Sequence, residues 1–434
     1  MEKKYFDPSE MVRGIQQLLV SDKKRIAFLF GAGTSLAKKA EDSPFIPSIG
    51  KMTEIVITYL KEDQDNGNKY TAAFNEIDEE LKQLCLPLNI ETLLSNIEEK
   101  IGIIGKGTLN NLSKKELSII RDMICTKIQE VVSVHKNILG RENILIQHDL
   151  AKWICNADRR FGVEIFTTNY DYLFEIGLEA NGVPYFDGFT GSYKPFFNAD
   201  ALEDINYLPK QTKLWKVHGS LGLHKDVSSG RIIRMSSDKD DLLIYPSSLK
   251  YNNSKKQPYS AFMDRLNLYL RQDDAVLFVC GFSFGDEHIN ERILSALQTN
   301  TTAHVFVLNY DIEYQTLENG EVKTYHTFCA DSSLGKLASR NRKISVLATR
   351  AAIIGSQYGE WKIRPDIETD DILSPSSYFK EDIEYEKDPD TGEPTKVQIK
   401  NVCSGVLILP SFVSFVELLK SMIPKNEWEG DIGE

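Results

Sequence analysis

Three residues suited to handling a polar substrate follow two apolar runs of this sequence. Asn169 and Asp171 stand in VEIFTTNYDYLF (residues 163–174), directly after an apolar run, and His218 closes the apolar run of LWKVHGS. An amide, a carboxylate and an imidazole can together orient a sugar hydroxyl or a water molecule and take its proton near neutral pH. We therefore single out Asn169, Asp171 and His218 as candidate catalytic residues, with Thr168 as a candidate ligand contact.

A glycine-containing turn follows the apolar run RIAFLF at residues 25–30. Glycines let a backbone approach a phosphate closely, and the amides that begin a helix attract its negative charge. The turn is not a standard dinucleotide fingerprint, because Leu36 stands where the third glycine would be, and it is not a P-loop, because no Gly-Lys-Ser/Thr follows. The candidate phosphate contacts are Gly31, Ala32, Gly33, Thr34 and Ser35.

Two further apolar runs also end in glycine or polar residues. AVLFVC (275–280) leads into GFSFGD, which contains Gly281 and Ser283, and HVFVLN (304–309) ends in Asn309. These groups suit a phosphate, a ribose hydroxyl or an adenine edge, so we take Gly281, Ser283 and Asn309 as candidate ligand contacts.

Each motif alone also has a purely structural interpretation. The glycines fit a tight turn, and Asn169 or Asp171 can form an Asx-type turn that caps a helix from about Tyr170 to Ala180. A lone histidine such as His218 is more often structural than catalytic. Five polar strand ends that fall in one pattern favour a ligand site over five unrelated turns.

The elements that position these motifs predict an α/β fold. Short apolar runs alternating with helical segments are typical of a parallel sheet covered on both faces, and ligands bind beyond the carboxyl ends of such strands. We predict a doubly wound parallel sheet with a large helical insertion at residues 51–158, where apolar residues recur every three or four positions.

The C-terminal part predicts a small α/β region. SVLATRAAIIG indicates a strand and the start of a helix, DPDTGEP indicates the turn of a protruding β-hairpin, and VLILPSFVSFVELLKSMI indicates a final strand and helix. We therefore divide the chain into residues 1–310, which carry the candidate site, and residues 311–434, a candidate assembly surface.

Composition and charge narrow the function classes. The net charge of -12 argues against strong direct binding to nucleic acid or to an anionic membrane. The sequence shows no secretion signal and no apolar run long enough to span a membrane. Six scattered cysteines without a CxxC pair indicate reduced thiols in a cytoplasmic protein, and the histidines do not cluster, so no zinc or other metal site is expected.

In their order along the chain, the motifs resemble those of the sirtuin superfamily, over roughly residues 24–311. GAGTS resembles the sirtuin GAG[IV]S loop, TTNYD resembles TQNID, VHGS resembles the catalytic His-Gly, and GFSFGD and Leu308-Asn309 resemble the segments that hold the adenosine ribose. The resemblance implies a Rossmann-like NAD site. Gly31, Ala32, Gly33 and Ser35 would hold the diphosphate, Asn169 would orient a water or the nicotinamide ribose, and His218 would act as general base. Asp171 would contact the nicotinamide amide or fix the loop, and Gly281, Ser283 and Asn309 would hold the adenosine half.

The sequence departs from deacylating sirtuins in two places. It lacks their four zinc cysteines, and IPSIG at residues 46–50 replaces their GIPDFR loop. The motif sequences more closely resemble those of the sirtuin-like domains of bacterial anti-phage defence proteins, which hydrolyse NAD. This resemblance implies an NAD hydrolase that depletes NAD and is gated by assembly, as a homo-oligomer and with a HerA-type ATPase partner. The alternatives are an NAD-dependent deacylase or ADP-ribosyl transferase, and a noncatalytic scaffold that senses NAD or ADP-ribose.

Overall fold

The computed structural model describes residues 4–226, 228–235, 242–244, 258–317, 320–364, 374–382, 384–387, 394–397 and 403–424. Their helices and strands confirm the predicted Rossmann-like α/β fold with a large, mostly parallel sheet. The chain divides into two compact units, and it passes from one to the other after residues 29, 148, 164 and 268. Among the described residues, no helix has both the length and the apolar character needed to cross a membrane.

The α-helices, in chain order, are α1 Pro8–Val20, α2 Gly33–Leu36, α3 Ile49–Lys61, α4 Gly67–Gln83, α5 Ile90–Ile103, α6 Lys114–Val132, α7 Ile146–Asn156, α8 Leu173–Ala180, α9 Ala199–Glu203, α10 Tyr259–Leu270, α11 Glu287–Thr299, α12 Ser333–Arg340 and α13 Phe412–Ser421. Short 3-10 helices span Val134–Asn137, Glu142–Ile144 and Pro375–Ser377.

The strands, in chain order, are β1 Tyr5–Phe6, β2 Arg25–Phe30, β3 Thr108–Leu109, β4 Leu112–Ser113, β5 Glu164–Thr167, β6 Tyr185–Phe186, β7 Phe189–Thr190, β8 Phe196–Phe197, β9 Thr212–Lys216, β10 Gly219–Leu221, β11 Leu223–Lys225, β12 Ile232–Arg234, β13 Leu242–Ile244, β14 Ala275–Cys280, β15 His304–Asn309, β16 Ile312–Thr316, β17 Val322–His326, β18 Ile344–Ala348, β19 Ala351–Ile354, β20 Gln357–Trp361, β21 Phe379–Glu381, β22 Glu384–Lys387, β23 Pro394–Val397 and β24 Gly405–Leu407.

The first unit comprises residues 1–29, 149–164 and 269–434. Its sheet runs in the order β1-β20-β19-β18-β15-β14-β2. Strand β15 pairs in parallel with β14 on one side and with β18 on the other, whereas β19 is antiparallel to both of its neighbours. Strands β14 and β15 are almost wholly buried, as expected for continuous apolar runs that are covered on both faces.

One C-terminal prediction is wrong. SVLATRAAIIG forms two antiparallel strands, β18 and β19, and not a strand followed by the start of a helix. The structural reason lies in the reversal at Thr349-Arg350. The Thr349 amide and hydroxyl both bond to Asp311 Oδ1, at 2.9 and 2.6 Å, and this turns the chain back onto the sheet.

The other C-terminal elements agree with prediction. Strands β22 and β23 pair as an antiparallel hairpin, although the predicted turn at residues 388–393 lies outside the described residues. Strand β24 and helix α13 are the expected final pair. The functional division at residue 310 stays a prediction.

The second unit comprises residues 30–148 and 165–268. Its helices α3 to α6 form most of the predicted insertion, interrupted by the two-residue strands β3 and β4. Fully buried residues from all four helices, among them Val56, Ile77, Leu93 and Ile120, belong to one apolar cluster. Burial at helical spacing accounts for these helices. The same cluster extends beyond the insertion to Ile46, Leu173 and Leu221.

Candidate active site

The Asn169 side chain ties two loops of the second unit together. Strand β5 ends at Thr167, and the Thr167 hydroxyl accepts the Asn169 amide at 3.1 Å. The Asn169 side-chain Nδ2 donates to Thr34 Oγ1 at 3.0 Å and to Ser35 Oγ at 2.7 Å. All four side chains are buried, with Asn169 only 6% exposed. Hydrogen bonds thus join the loop after β5 (residues 168–172, the strand-end loop) to the glycine turn (residues 31–35).

The direction of these hydrogen bonds determines what Asn169 can offer a ligand. Thr34 Oγ1 donates to the Gly31 carbonyl at 2.8 Å, and Ser35 Oγ donates to Asp171 Oδ2 at 2.7 Å. Each hydroxyl has a single hydrogen, so both must accept from Asn169. Because the two Nδ2 hydrogens are committed in this way, Asn169 can serve a ligand through its Oδ1, which is an acceptor for a ribose hydroxyl or a water.

Asp171 fixes the loop from the other end. Its Oδ1 accepts the amide of Leu173, the first residue of α8, at 3.0 Å. The helix therefore begins three residues later than the predicted start near Tyr170, and Asp171 satisfies one of its amides, as the structural alternative expected. The carboxylate that closes the Ser35 network also anchors the helix that follows.

Lys216 is a buried neighbour of this loop that the sequence analysis missed. It closes β9, and its ammonium contacts the backbone carbonyl of Asp171 and lies 3.1 Å from Glu175 Oε1. Burial raises the pKa of Glu175, and the charge of Lys216 opposes that rise. The pattern Lys-x-His at the end of β9 was visible, but nothing in it indicated that the lysine turns towards residue 171.

His218 lies beside the same loop. The Val217 amide donates to the Thr167 carbonyl at 2.9 Å, so the chain carrying His218 runs along the end of β5. Gly219 follows with φ +105°, a backbone conformation that favours glycine and turns the chain directly after the histidine. The imidazole is 6% exposed, and its Nδ1 lies 4.0 Å from Glu91 Oε1.

Glu91 is the second residue that the sequence analysis missed. It occupies the first turn of α5, where the Asn89 side chain accepts the amides of Glu91 and Thr92 at 2.9 and 3.0 Å and the Thr92 hydroxyl accepts the amide of Asn89 in return. This capping box fixes the helix start, and with it the position of the carboxylate. At 4.0 Å the pair is longer than a hydrogen bond, so the structure places the Glu91 carboxylate near the imidazole without a direct hydrogen bond between them.

In the glycine turn the two hydroxyl residues are buried, whereas two of the residues before them are accessible. The amide of Thr34 donates to Gly31 at 3.0 Å and that of Ser35 to Ala32 at 3.1 Å, while Gln147 Nε2 braces the Thr34 carbonyl at 2.9 Å. Ala32 is exposed and Gly33 is half-buried. Ala32 and Gly33 are thus the accessible residues of the turn, Thr34 and Ser35 hold it in shape, and the predicted phosphate contacts stay a prediction.

Thr168, a predicted ligand contact, is half-buried between β5 and Asn169, and its amide donates to the Phe30 carbonyl at 3.0 Å. This bond joins the strand-end loop to the last residue of β2, which precedes the glycine turn. Thr168 thus lies in the same local assembly as Asn169.

The remaining candidates, Gly281, Ser283 and Asn309, belong to the first unit. Strands β14 and β15 pair with Cys280 opposite Leu308, so Gly281 and Asn309 follow at the same edge of the sheet. Gly281 has φ +67°, and Ser283 is exposed. Asp286 caps α11 by accepting the amide of His288 at 2.9 Å.

Within the part of the chain that the structure describes, no group of three or more histidine, cysteine, aspartate or glutamate side chains is arranged to hold a metal ion.

Comparison with known proteins gives one family match. Residues 163–328 match the model of the SIR2-like domain. The match includes Asn169, His218 and Asn309, and it begins after the glycine turn at Gly31. A search of curated proteins gives no significant match. SIR2-like domains generally act on NAD, so the match supports a sirtuin-like, NAD-related domain in this chain.

Proposed function

We propose that this protein is an NAD hydrolase that cleaves NAD with water to nicotinamide and ADP-ribose. The observation that carries the proposal is the network that commits both amide hydrogens of Asn169 to Thr34 and Ser35. It leaves Asn169 Oδ1 as an oriented acceptor at a strand end beside His218. Both residues lie in the region that matches the model of the SIR2-like domain. Orientation of this kind contributes to catalysis because no reorganisation is needed during the reaction.

The reaction breaks the bond between the nicotinamide nitrogen and the ribose carbon C1′. The bonding electrons leave with nicotinamide, and positive charge develops on the ribose. Water attacks C1′ and loses a proton, so NAD and water give nicotinamide, ADP-ribose and one proton. In our proposal, Asn169 Oδ1 accepts from the water or from a ribose hydroxyl, and His218 takes the proton.

Glu91 supports this role of His218. When the imidazole accepts a proton, a carboxylate 4.0 Å away stabilises the resulting positive charge. Lys216 acts indirectly, because it holds the backbone carbonyl of Asp171 and thereby the loop that contains Asn169. We regard Glu91 and Lys216 as positioning residues.

The remaining predicted contacts are assigned from the sequence to other parts of NAD. Ala32, which is exposed, and Gly33, which is half-buried, are accessible residues of the glycine turn and suit the diphosphate. Gly281, Ser283 and Asn309 suit the adenosine half, an assignment that rests on the sequence resemblance and on the family match.

We further propose that the enzyme acts in the cytoplasm in bacterial anti-phage defence. It would deplete NAD in infected cells, and its activity would be gated by assembly as a homo-oligomer and with a HerA-type ATPase. This proposal rests on the resemblance of the motifs TTNYD, HGS and GFSFGD to those of sirtuin-like anti-phage defence proteins. Gating is also physically reasonable, because an unregulated NAD hydrolase would harm its own cell.

Product analysis separates hydrolysis from the alternatives. The purified chain is incubated with NAD, with or without an acetylated lysine peptide, and the products are identified by chromatography and mass spectrometry. Hydrolysis predicts ADP-ribose in both samples and unchanged peptide. Nicotinamide release that requires the peptide and yields an acetylated ADP-ribose would instead show deacylation, and ADP-ribose attached to protein would show transfer.

A further inference from the structure

A cavity of about 860 Å³ lies within the second unit, apart from the candidate active site. Its walls include one face of α8, the end of β9 and part of β12. The lining does not include the glycine turn, Asn169, Asp171 or His218. Its volume is within the range of roughly 300–1,000 Å³ that is typical of small-molecule sites.

Among the described residues, the lining of the cavity carries an excess of negative charge. Its charged side chains are four carboxylates and two cations, namely Glu142, Glu175, Glu179, Asp187, Lys216 and Arg234, and the imidazole of His135 lies beside them. Arg234 forms an ion pair with Asp187, and Lys216 lies 3.1 Å from Glu175. With these four charges balanced in pairs, Glu142 and Glu179 account for the excess of two.

Aromatic rings form much of the remaining wall. Tyr172, Tyr185, Phe189 and Phe262 all line the cavity. The Tyr185 hydroxyl donates to Glu179 Oε1 at 2.7 Å, so one carboxylate is held beside an aromatic ring. Burial raises the pKa of Tyr185, which keeps the phenol neutral and donating. The Arg234 guanidinium already lies over the Phe189 ring, 4.9 Å from its centre, so a cation–π contact forms part of the wall.

We propose that this cavity binds a small organic cation with an apolar or aromatic body. A cation gains from the uncompensated carboxylates and from the negative faces of the rings. An anion would be repelled by the same carboxylates, and a neutral aromatic would gain only from apolar burial.

Lys216 connects the cavity to the candidate active site. Its ammonium lines the cavity, pairs with Glu175 and contacts the backbone carbonyl of Asp171. A bound cation that approaches Glu175 competes with Lys216 for that carboxylate and changes how firmly Lys216 holds the loop. Occupancy of the cavity therefore alters turnover at Asn169. This second step rests on the proposed NAD hydrolysis, whereas the binding itself does not.

Ligand-observed fluorine NMR tests the binding directly. The cationic probe is 4-fluorobenzylammonium, and 4-fluorobenzyl alcohol is a neutral probe of nearly the same shape. We expect saturable binding of the cation with a dissociation constant on the order of 1 mM, as for a fragment of this size, and at least tenfold weaker binding of the alcohol.

The carboxylates that provide the excess charge can be changed without loss of their acceptor oxygens. The double variant Glu142→Gln/Glu179→Gln retains an oxygen for the Gly140 amide and for the Tyr185 hydroxyl. It should weaken binding of the cation by about tenfold or more. Glu203→Gln, an exposed change outside the lining, is the matched control and should leave binding unchanged. Absence of saturable binding, or equal binding by the double variant and the control, would overturn the proposal.

The connection through Lys216 has a separate readout. Saturating 4-fluorobenzylammonium should change the rate of nicotinamide release by the wild-type protein and have little effect on the double variant. Binding without any change in rate would refute the connection while the cation site stands. If no nicotinamide is released at all, the NMR result still decides the binding.

Discussion

Replacing Asn169 with alanine separates a catalytic role from a structural one. The change removes two hydrogen bonds, at 3.0 and 2.7 Å, from a side chain that is 6% exposed. At about 1 kcal/mol for each bond, unfolding should become easier by about 2 kcal/mol. Thr34 and Ser35 keep the acceptors Gly31 and Asp171, so no hydroxyl is left without a partner for its hydrogen. The protein should fold, with a melting temperature a few degrees lower.

The expected effect of Asn169→Ala on catalysis is much larger. Loss of an oriented group at the reacting centre costs roughly 100- to 1,000-fold in rate. Asn181→Ala is a matched control, because Asn181 Nδ2 also makes two hydrogen bonds in the same unit, to His148 at 3.1 Å and to Gly177 at 2.9 Å. Calorimetry should show similar losses of stability for the two variants, and nicotinamide release should fall only for Asn169→Ala. Turnover by Asn169→Ala within about threefold of the control would refute the catalytic assignment.

Three further predictions follow from the contacts. His218→Ala should lower nicotinamide release by roughly 10²–10⁴-fold, and Glu91→Gln by a smaller factor, in steady-state assays of folded protein; the reverse order would contradict their roles. A neighbouring lysine and the helix cap lower the pKa of Glu116 to about 2, so Glu116→Gln should lower the free energy of unfolding at pH 7. Chemical denaturation should show that the difference between the two proteins vanishes as the pH falls from about 4.5 to about 2. A difference that stays constant with pH would contradict this cause. At Gly222 (φ +70°), an added Cβ would lie 2.1 Å from the Tyr172 hydroxyl, so Gly222→Ala should lower the free energy of unfolding by about 2–4 kcal/mol, measured by denaturation. Adding Tyr172→Phe to the same chain should restore part of this stability. If it restores none, the strain lies elsewhere.

The fold was predictable where buried strands end in glycine or polar residues. Strands β2, β14 and β15 match their predicted bounds at both ends, because each is a continuous apolar run between clear breaks. In these strands the apolar residues of the sequence are also the buried ones, so the assignment as buried strands was clear.

The prediction failed where tertiary contacts outweigh local pattern. Thr349-Arg350 turns the chain into a second strand because Asp311 binds the Thr349 amide and hydroxyl, a contact between residues far apart in the sequence. The approach of Glu91 to His218 and of Lys216 to Asp171 depends in the same way on packing. The hydrophobic periodicity of a single segment cannot predict such contacts between residues that are far apart in the sequence.

The candidate site was predicted in part for the same reason. Strand-end position indicated Asn169, Asp171 and His218, and the structure places all three at neighbouring strand ends of the second unit. The bond from Ser35 to Asp171 could not be read from the sequence, because hydroxyls in a glycine turn are equally suited to a phosphate. In the structure the hydroxyls of Thr34 and Ser35 bond within the protein, and their role as ligand contacts stays a prediction.

The most direct test of the central claim is the release of nicotinamide from NAD by the purified chain, measured by chromatography beside the His218→Ala variant. The assay is run with the chain alone and with a HerA-type ATPase. We predict nicotinamide and ADP-ribose in equal amounts from the wild-type protein under at least one condition, and a rate at least roughly 100-fold lower from the variant. Release no higher than that of His218→Ala under both conditions would contradict NAD hydrolysis at this site.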